Sequence, residues 1–197
     1  MAMDVLYLPA TDPADDTYGH PPESFPDDPT IRVFSVSYPR MVWYNEEIRA
    51  EALRQIEMMS ADRVVLVGFS KSGLGAWHLA QALPECVKAT IIFDAPMALQ
   101  QLPSQWGAAP FYPSAEAWQR DLPVYGITQF QRDVSADHKL ILISGAHFDA
   151  DMRQLVSALN DAGIDHTFLP HPEIRHHWNA GWVEIGLAAA HITGAYR

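Results

Sequence analysis

Cysteine is almost missing from this chain, Cys86 being the single one. No disulfide can close within it, so a fold stapled by cross-links is excluded and a reducing, cytoplasmic compartment is expected. Long apolar runs are missing as well. No stretch approaches the roughly 18 uninterrupted apolar residues of a membrane span, and the opening residues "MAMDVLYLPATD" lack a basic start leading into an apolar core, so neither a spanning segment nor a secretory signal is expected. Basic residues are scarce: 13 Lys and Arg stand against 24 Asp and Glu, for a formal net charge of -11. Such a surface repels phosphate backbones, which argues against nucleic acid and for a small-molecule partner.

What is present is an ordinary globular profile, 197 residues with 48% hydrophobic, the size of one domain, 1–197, with one core. A chain of this length buries roughly 70% of its unfolded surface, enough to fold without a metal or a staple. Short apolar runs alternate with segments of helical period. Asp4 to Leu8, Ile31 to Tyr38, Arg63 to Phe69, Lys88 to Ala95, Lys139 to Gly145 and Asp165 to Pro170 read as strands. Between them, Ile48, Ala52, Leu53, Ile56 and Met59 share one helical face behind an Asn45 N-cap, and Met152, Leu155, Val156 and Leu159 share another before Gly163. With "LGAWHLAQAL" and "AGWVEIGLAAAHI" as further helices, the alternation predicts an α/β fold, a mostly parallel sheet with helices on both faces.

Two segments interrupt that order. Pro9 to Pro29 carries six prolines and six carboxylates with no Lys or Arg, a composition that predicts a solvated surface loop. Residues 96–137 read as irregular yet hold Trp106, Phe111, Tyr112, Trp118, Tyr125 and Phe130. A structureless stretch of that length in a compact domain is expected to be a lid or a binding loop. Its rings would roof a pocket and favour an apolar or aromatic substrate group, although core packing accounts for them equally well.

The segment "VVLVGFSKSGLGAW", Val64 to Trp77, poses a sharper question. A buried strand runs into a serine at the point where a helix begins. A tight turn there lifts Ser70 out of the core over the carboxyl edge of the sheet, and Gly68, Gly73 and Gly75 leave room for the turn and for close approach of the helix. Amides of the first helical turn then face any negative charge developing near the serine. A serine acting only as an N-cap needs no such flanking glycines.

In these residues the sequence resembles the α/β-hydrolase superfamily, whose nucleophile elbow reads G-x-S-x-G; here Gly68-Phe69-Ser70-Lys71-Ser72-Gly73 has serine where the last glycine is usual. The resemblance runs from about Asp4 to Ile192, as a compact version without the superfamily's first two antiparallel strands. It implies a catalytic order of serine, acid, histidine. The acid then follows a late strand, where Asp149, four residues after Gly145, is chosen over Asp151, whose place beside a helix start explains it by itself. Asp94 is a third option, since some members carry the acid one strand earlier. The base is His176 or His177, with His176 narrowly preferred because Trp178 follows it by two. For the oxyanion hole the resemblance implies the amide of Lys71 and one from the loop after the first strand, Ala10 or Thr11, because Pro9 has no N–H.

The implied activity is hydrolysis of a carboxylic ester or related acyl bond through an acyl-enzyme, with no cofactor. The rival is a catalytically degenerate relative that only binds a small molecule or a protein, for fold does not dictate function. Two other chemistries fit poorly. No His-Glu-x-x-His pair occurs, and His166, His171 and His176 recur every five residues, off any single face, which argues against a metal site. "GFSKSGLG" lacks the G-K-[ST] ending of a phosphate-binding loop.

Overall fold

The computed structural model describes residues 3–10, 25–59 and 63–195. Six strands form one sheet: β1 Met3–Leu8, β2 Ile31–Ser35, β3 Val64–Phe69, β4 Val87–Phe93, β5 Lys139–Ser144 and β6 Thr167–Pro170. Their order is β2-β1-β3-β4-β5-β6, and every pair is parallel. Six α-helices accompany them: α1 Glu46–Glu57, α2 Lys71–Ala82, α3 Ala115–Asp121, α4 Ile127–Asp133, α5 Asp149–Asp161 and α6 Ala180–Thr193.

Because successive side chains of a strand point to opposite faces, the central strands, covered on both sides, are apolar at nearly every position. Leu6, Leu8, Val64, Leu66, Ile92, Leu140 and Leu142 face one way, onto α1, α2 and α5 through Ile48, Ala52, Trp77, Leu79, Met152 and Leu155. Val5, Tyr7, Val65, Val67, Phe69, Ile91, Phe93, Ile141 and Ile143 face the other, onto α6 through Trp182, Val183, Ala189 and Ala190. Each such side chain, fully buried, contributes about 1.5–3 kcal/mol from removal of apolar surface from water.

The helix ends follow from local chemistry. The Asn45 side chain accepts the Ile48 amide at 3.0 Å, so α1 starts where the N-cap reading put it. Gly163, at φ 69, reverses the chain after α5, with the Ile164 amide returning to the Leu159 carbonyl at 2.9 Å. Strand β2 is shorter than the sequence pattern suggests and ends at Ser35. The Pro9 to Pro29 segment lies largely outside the described residues.

The expectation of irregular chain over residues 96–137 is corrected. That segment holds α3, α4 and two single 3-10 turns, Ser104–Trp106 and Pro123–Tyr125. Helices of seven residues span two turns, too few to imprint a 3.6-residue period on the sequence. Most of its rings pack as core: Trp118 is fully buried against Trp43 and Tyr112, and Phe130 stacks on Trp77 at 3.8 Å. Arg49 of α1 ties α3 down by bonding the Asp121 carboxylate at 2.7 Å, which also accepts the Tyr112 hydroxyl.

Candidate active site

Register decides what meets at the carboxyl edge. Phe69 pairs with Phe93 and Phe93 with Ile143, so the residues after them, Ser70 and Asp94, leave adjacent strands at one height. The ladder continues one step past each strand: the Ser70 amide donates to Phe93 O at 2.9 Å, and the Asp94 amide to Ile143 O at 2.8 Å. Among the described residues, Ser70 at φ 56 and Asp94 at φ 37 are the two non-glycine residues in left-handed conformation. Such backbones cost about 1–3 kcal/mol each and persist where surrounding structure enforces them, typically at functional sites.

Around Ser70 that enforcement is visible. A Cβ on Gly68 would stand 2.4 Å from the Ser72 carbonyl oxygen, so only glycine lets the turn close. Ser72, the departure from the usual elbow pattern, has a use of its own. Its hydroxyl accepts the Phe69 amide and donates to the Phe69 carbonyl, each at 2.9 Å, lacing the turn from within.

Asp94 is fully buried. Its Oδ1 accepts the amides of Gly145 at 2.9 Å and Phe148 at 2.8 Å, and its Oδ2 accepts His176 Nδ1 at 2.7 Å. Burial alone would raise its pKa, but the His176 hydrogen bond, the Phe148 amide, the charge of His176 and the Gly145 amide together hold it below the usual carboxylate range. A carboxylate only accepts, so His176 Nδ1 carries the ring proton and Nε2 is left as an acceptor. Ser70 Oγ lies 2.9 Å from that Nε2 and donates to it.

His176 reaches this point on the loop after β6, pinned by the His171 amide on Ser144 O at 2.9 Å and the Ala146 amide on Ile174 O at 2.8 Å. Its ring stacks on Phe69 at 4.7 Å, and Trp178, two residues on, is buried against Tyr7, Phe69 and Phe93. His177 is exposed, and its carbonyl accepts Trp182 Nε1 at 3.0 Å.

The structure does not bring Asp149 to the histidine. Asp149 opens α5 and takes the Ser144 hydroxyl at 2.5 Å and Arg153 Nε at 2.7 Å. Asp151 is half-buried in the same turn. The carboxylate beside His176 is that of Asp94, which leaves β4 next to the turn after β5 and is held by amides of that turn. Lys71 opens α2, where its amide belongs to the first helical turn. The Ala10 carbonyl accepts the Val42 amide at 3.0 Å, and Thr11 lies outside the described residues.

A cavity of about 330 Å³ adjoins Ser70, lined also by Trp43, Lys71, Trp106, His147, Phe148 and His176. Of the six rings expected to roof a pocket, only Trp106 lines this one. Trp43, the Lys71 side chain and His147 were not legible as site residues, since they come from loops and a helix start that the topology alone gathers. Trp43 is held there by its Nε1 on the Trp106 carbonyl at 3.1 Å. The His147 imidazole, 4.9 Å from that of His176, has its pKa lowered by burial and by the His176 charge, partly offset by Asp94.

No protein-family model matches the sequence, and no curated protein matches it. Solved structures do. Mycobacterium tuberculosis MPT51 superposes with a TM-score of 0.69 at 14% identity, over 99% of this chain and 90% of that one. S-formylglutathione hydrolase from Agrobacterium tumefaciens gives 0.63 at 14% identity, over 98% and 83%. This chain has the α/β-hydrolase fold. Porphyromonas gingivalis dipeptidyl peptidase 4 matches it at 0.68 and 12% identity, over 98% of this chain but only 31% of the peptidase. Within the α/β-hydrolase fold, the site described above occupies the carboxyl edge of the parallel strands, where ligands of open α/β sheets bind.

Proposed function

We propose that the protein is a serine hydrolase that cleaves a carboxylic ester, or a related acyl bond, of a small molecule. The observation that carries this reading is the continuous hydrogen-bonded chain from Asp94 through His176 to Ser70, with Ser70 on a left-handed turn. Ser70 Oγ attacks the acyl carbonyl while His176 Nε2 takes its proton. Asp94 keeps the imidazole in the tautomer that accepts, and stabilises the imidazolium that forms. The Lys71 amide at the start of α2 donates to the tetrahedral oxyanion. The imidazolium then gives its proton to the leaving alcohol, and water, deprotonated by the same Nε2, releases the acid and restores Ser70. The single cysteine supports a cytoplasmic setting, and no helix among the described residues is long and apolar enough to cross a membrane.

A fluorophosphonate probe tests the reading directly. It is expected to label the parent protein on Ser70 and to leave the Ser70→Ala variant unlabelled, with 4-nitrophenyl acetate turnover lost in parallel. A folded parent that neither reacts with the probe nor turns over the ester overturns it in favour of a binding-only protein.

A further inference from the structure

A second cavity of about 330 Å³ lies between the start of α1 and α3, and it shares no lining residue with the one beside Ser70. Its central group is Arg49. One nitrogen of that guanidinium is occupied: Nη1 donates to the Tyr44 carbonyl at 2.8 Å and to the two Asp121 carboxylate oxygens at 2.9 and 2.7 Å. Asp121 is fixed in turn, its carboxylate accepting the Tyr112 hydroxyl at 2.9 Å and its carbonyl accepting His78 Nε2 at 2.9 Å. The side chains of Arg49 and Asp121 are only 18% and 16% exposed, so the guanidinium is held in one orientation.

The other edge of the same guanidinium is idle. Nε and Nη2 lie side by side along it and donate to no described residue. Among the described residues, only the indole nitrogens of Trp77 and Trp178 are buried without a partner. Nε and Nη2 of Arg49 are therefore open, and the space Arg49 borders is this cavity. Joining α1 to α3 uses Nη1 alone and leaves that edge unexplained. Its two N–H groups match the two oxygens of a carboxylate. The rest of the wall narrows the choice. Arg120, exposed and without a hydrogen bond to any described residue, adds a second positive charge, and Glu46 and Asp121 bring the formal sum to zero. One negative charge is accommodated there, whereas a second, as on phosphate, is opposed by Glu46. Phe111, Pro113 and Ala117 offer apolar surface to a carbon skeleton.

We propose that this cavity is a second binding site, for a small organic monocarboxylate whose oxygens take the Nε and Nη2 edge of Arg49 and whose carbon skeleton lies against Phe111 and Pro113. Binding there requires no turnover at Ser70, so the site stands apart from the esterase reading.

Calorimetric titration of the whole protein with benzoate tests this, beside benzamide, which has the same shape without the charge, and inorganic phosphate. Benzoate is expected to bind with a Kd of about 1 mM or tighter, and benzamide and phosphate at least about tenfold more weakly, the scale of a charge-assisted hydrogen bond. Amide resonances followed during the titration locate the site without any substitution: those of Arg49 and Ala117 should shift. Ala117→Phe fills the cavity and leaves Arg49 and Asp121 in place, and should abolish binding at those residues. Arg49→Lys keeps the charge and loses the fork, and should weaken it at least about tenfold; thermal melts show whether each variant is folded, and the shifts in the parent decide if neither is. Absence of binding, benzamide or phosphate binding as tightly as benzoate, shifts confined to the surroundings of Ser70, or an affinity unchanged in a folded Ala117→Phe or Arg49→Lys each overturn the proposal.

Discussion

Strands β4 and β5 lie side by side, and each hands an aspartate to the same edge of the sheet, with opposite results. Asp94 follows β4 directly, is wholly buried, and spends its oxygens on His176 and on amides of the turn that leaves β5. Asp149, beyond that turn, keeps a quarter of its side chain exposed and pairs with Arg153 and Ser144 on its own side. The turn after β5 therefore acts as a cradle for its neighbour's acid. An aspartate is aimed by the donors gathered around it, and here those donors belong to a different strand from the acid itself.

The largest expected effect falls on that contrast. Asp94→Asn should lower kcat/KM by about 10³–10⁴, since an amide side chain favours the wrong imidazole tautomer, whereas Asp149→Asn should change it by less than about threefold. Steady-state kinetics on both variants checks this, and the reverse order would return the acid's role to Asp149. Gly145→Ala attacks the cradle itself. A Cβ there would meet Trp182 at 2.6 Å and Asp94 Oδ2 at 2.8 Å, so a cost of about 1–3 kcal/mol in a urea titration is expected, with turnover reduced roughly 10- to 100-fold as the acid is displaced.

Acid pH separates the two aspartates more gently. The Asp94 carboxyl titrates below its unfolded value, so protons bind preferentially to the unfolded chain. The stability it contributes is complete above about pH 4 and drains away as pH falls through the folded value. Asp149 is also held low: burial would raise it, and the Arg153 and Ser144 bonds outweigh that. Its partner Arg153 is half-exposed, and the pair is correspondingly screened. Urea midpoints followed from about pH 6 to pH 3 should lose more of their acid slope in Asp94→Asn than in Asp149→Asn. The smallest effect expected is the neutral-pH stability of Asp149→Asn, down by about 0.5–1.5 kcal/mol for one weakened bond to Ser144.

The sheet and the elbow were legible in the sequence because their causes are local. Runs such as Val64 to Phe69 are apolar at every position, the mark of a strand covered on both faces, and Gly68 before Ser70 announces a turn with no room for a side chain. The carboxylate that meets His176 was legible only as a set of alternatives. Position along the chain favoured Asp149, whereas adjacency in space belongs to Asp94, 51 residues before Gly145 in the turn that cradles it; that adjacency arises from the pairing of β4 with β5. Ser72 hid its role in the same way, since a small residue at the elbow looks merely tolerated until its hydroxyl is seen accepting the Phe69 amide and donating to the Phe69 carbonyl. Trp43 and Lys71 come together across loops whose lengths carry no periodic signal.

The amides of Ser70 and Asp94 extend the ladder that joins β3 to β4 and β4 to β5. Ser70 and Asp94 are in effect the last stitches of two interior seams, with no flexible stalk between them and the body of the protein. Heating ought not to silence the proposed hydrolysis while the scaffold stays whole: thermal inactivation and loss of the sheet should arrive together.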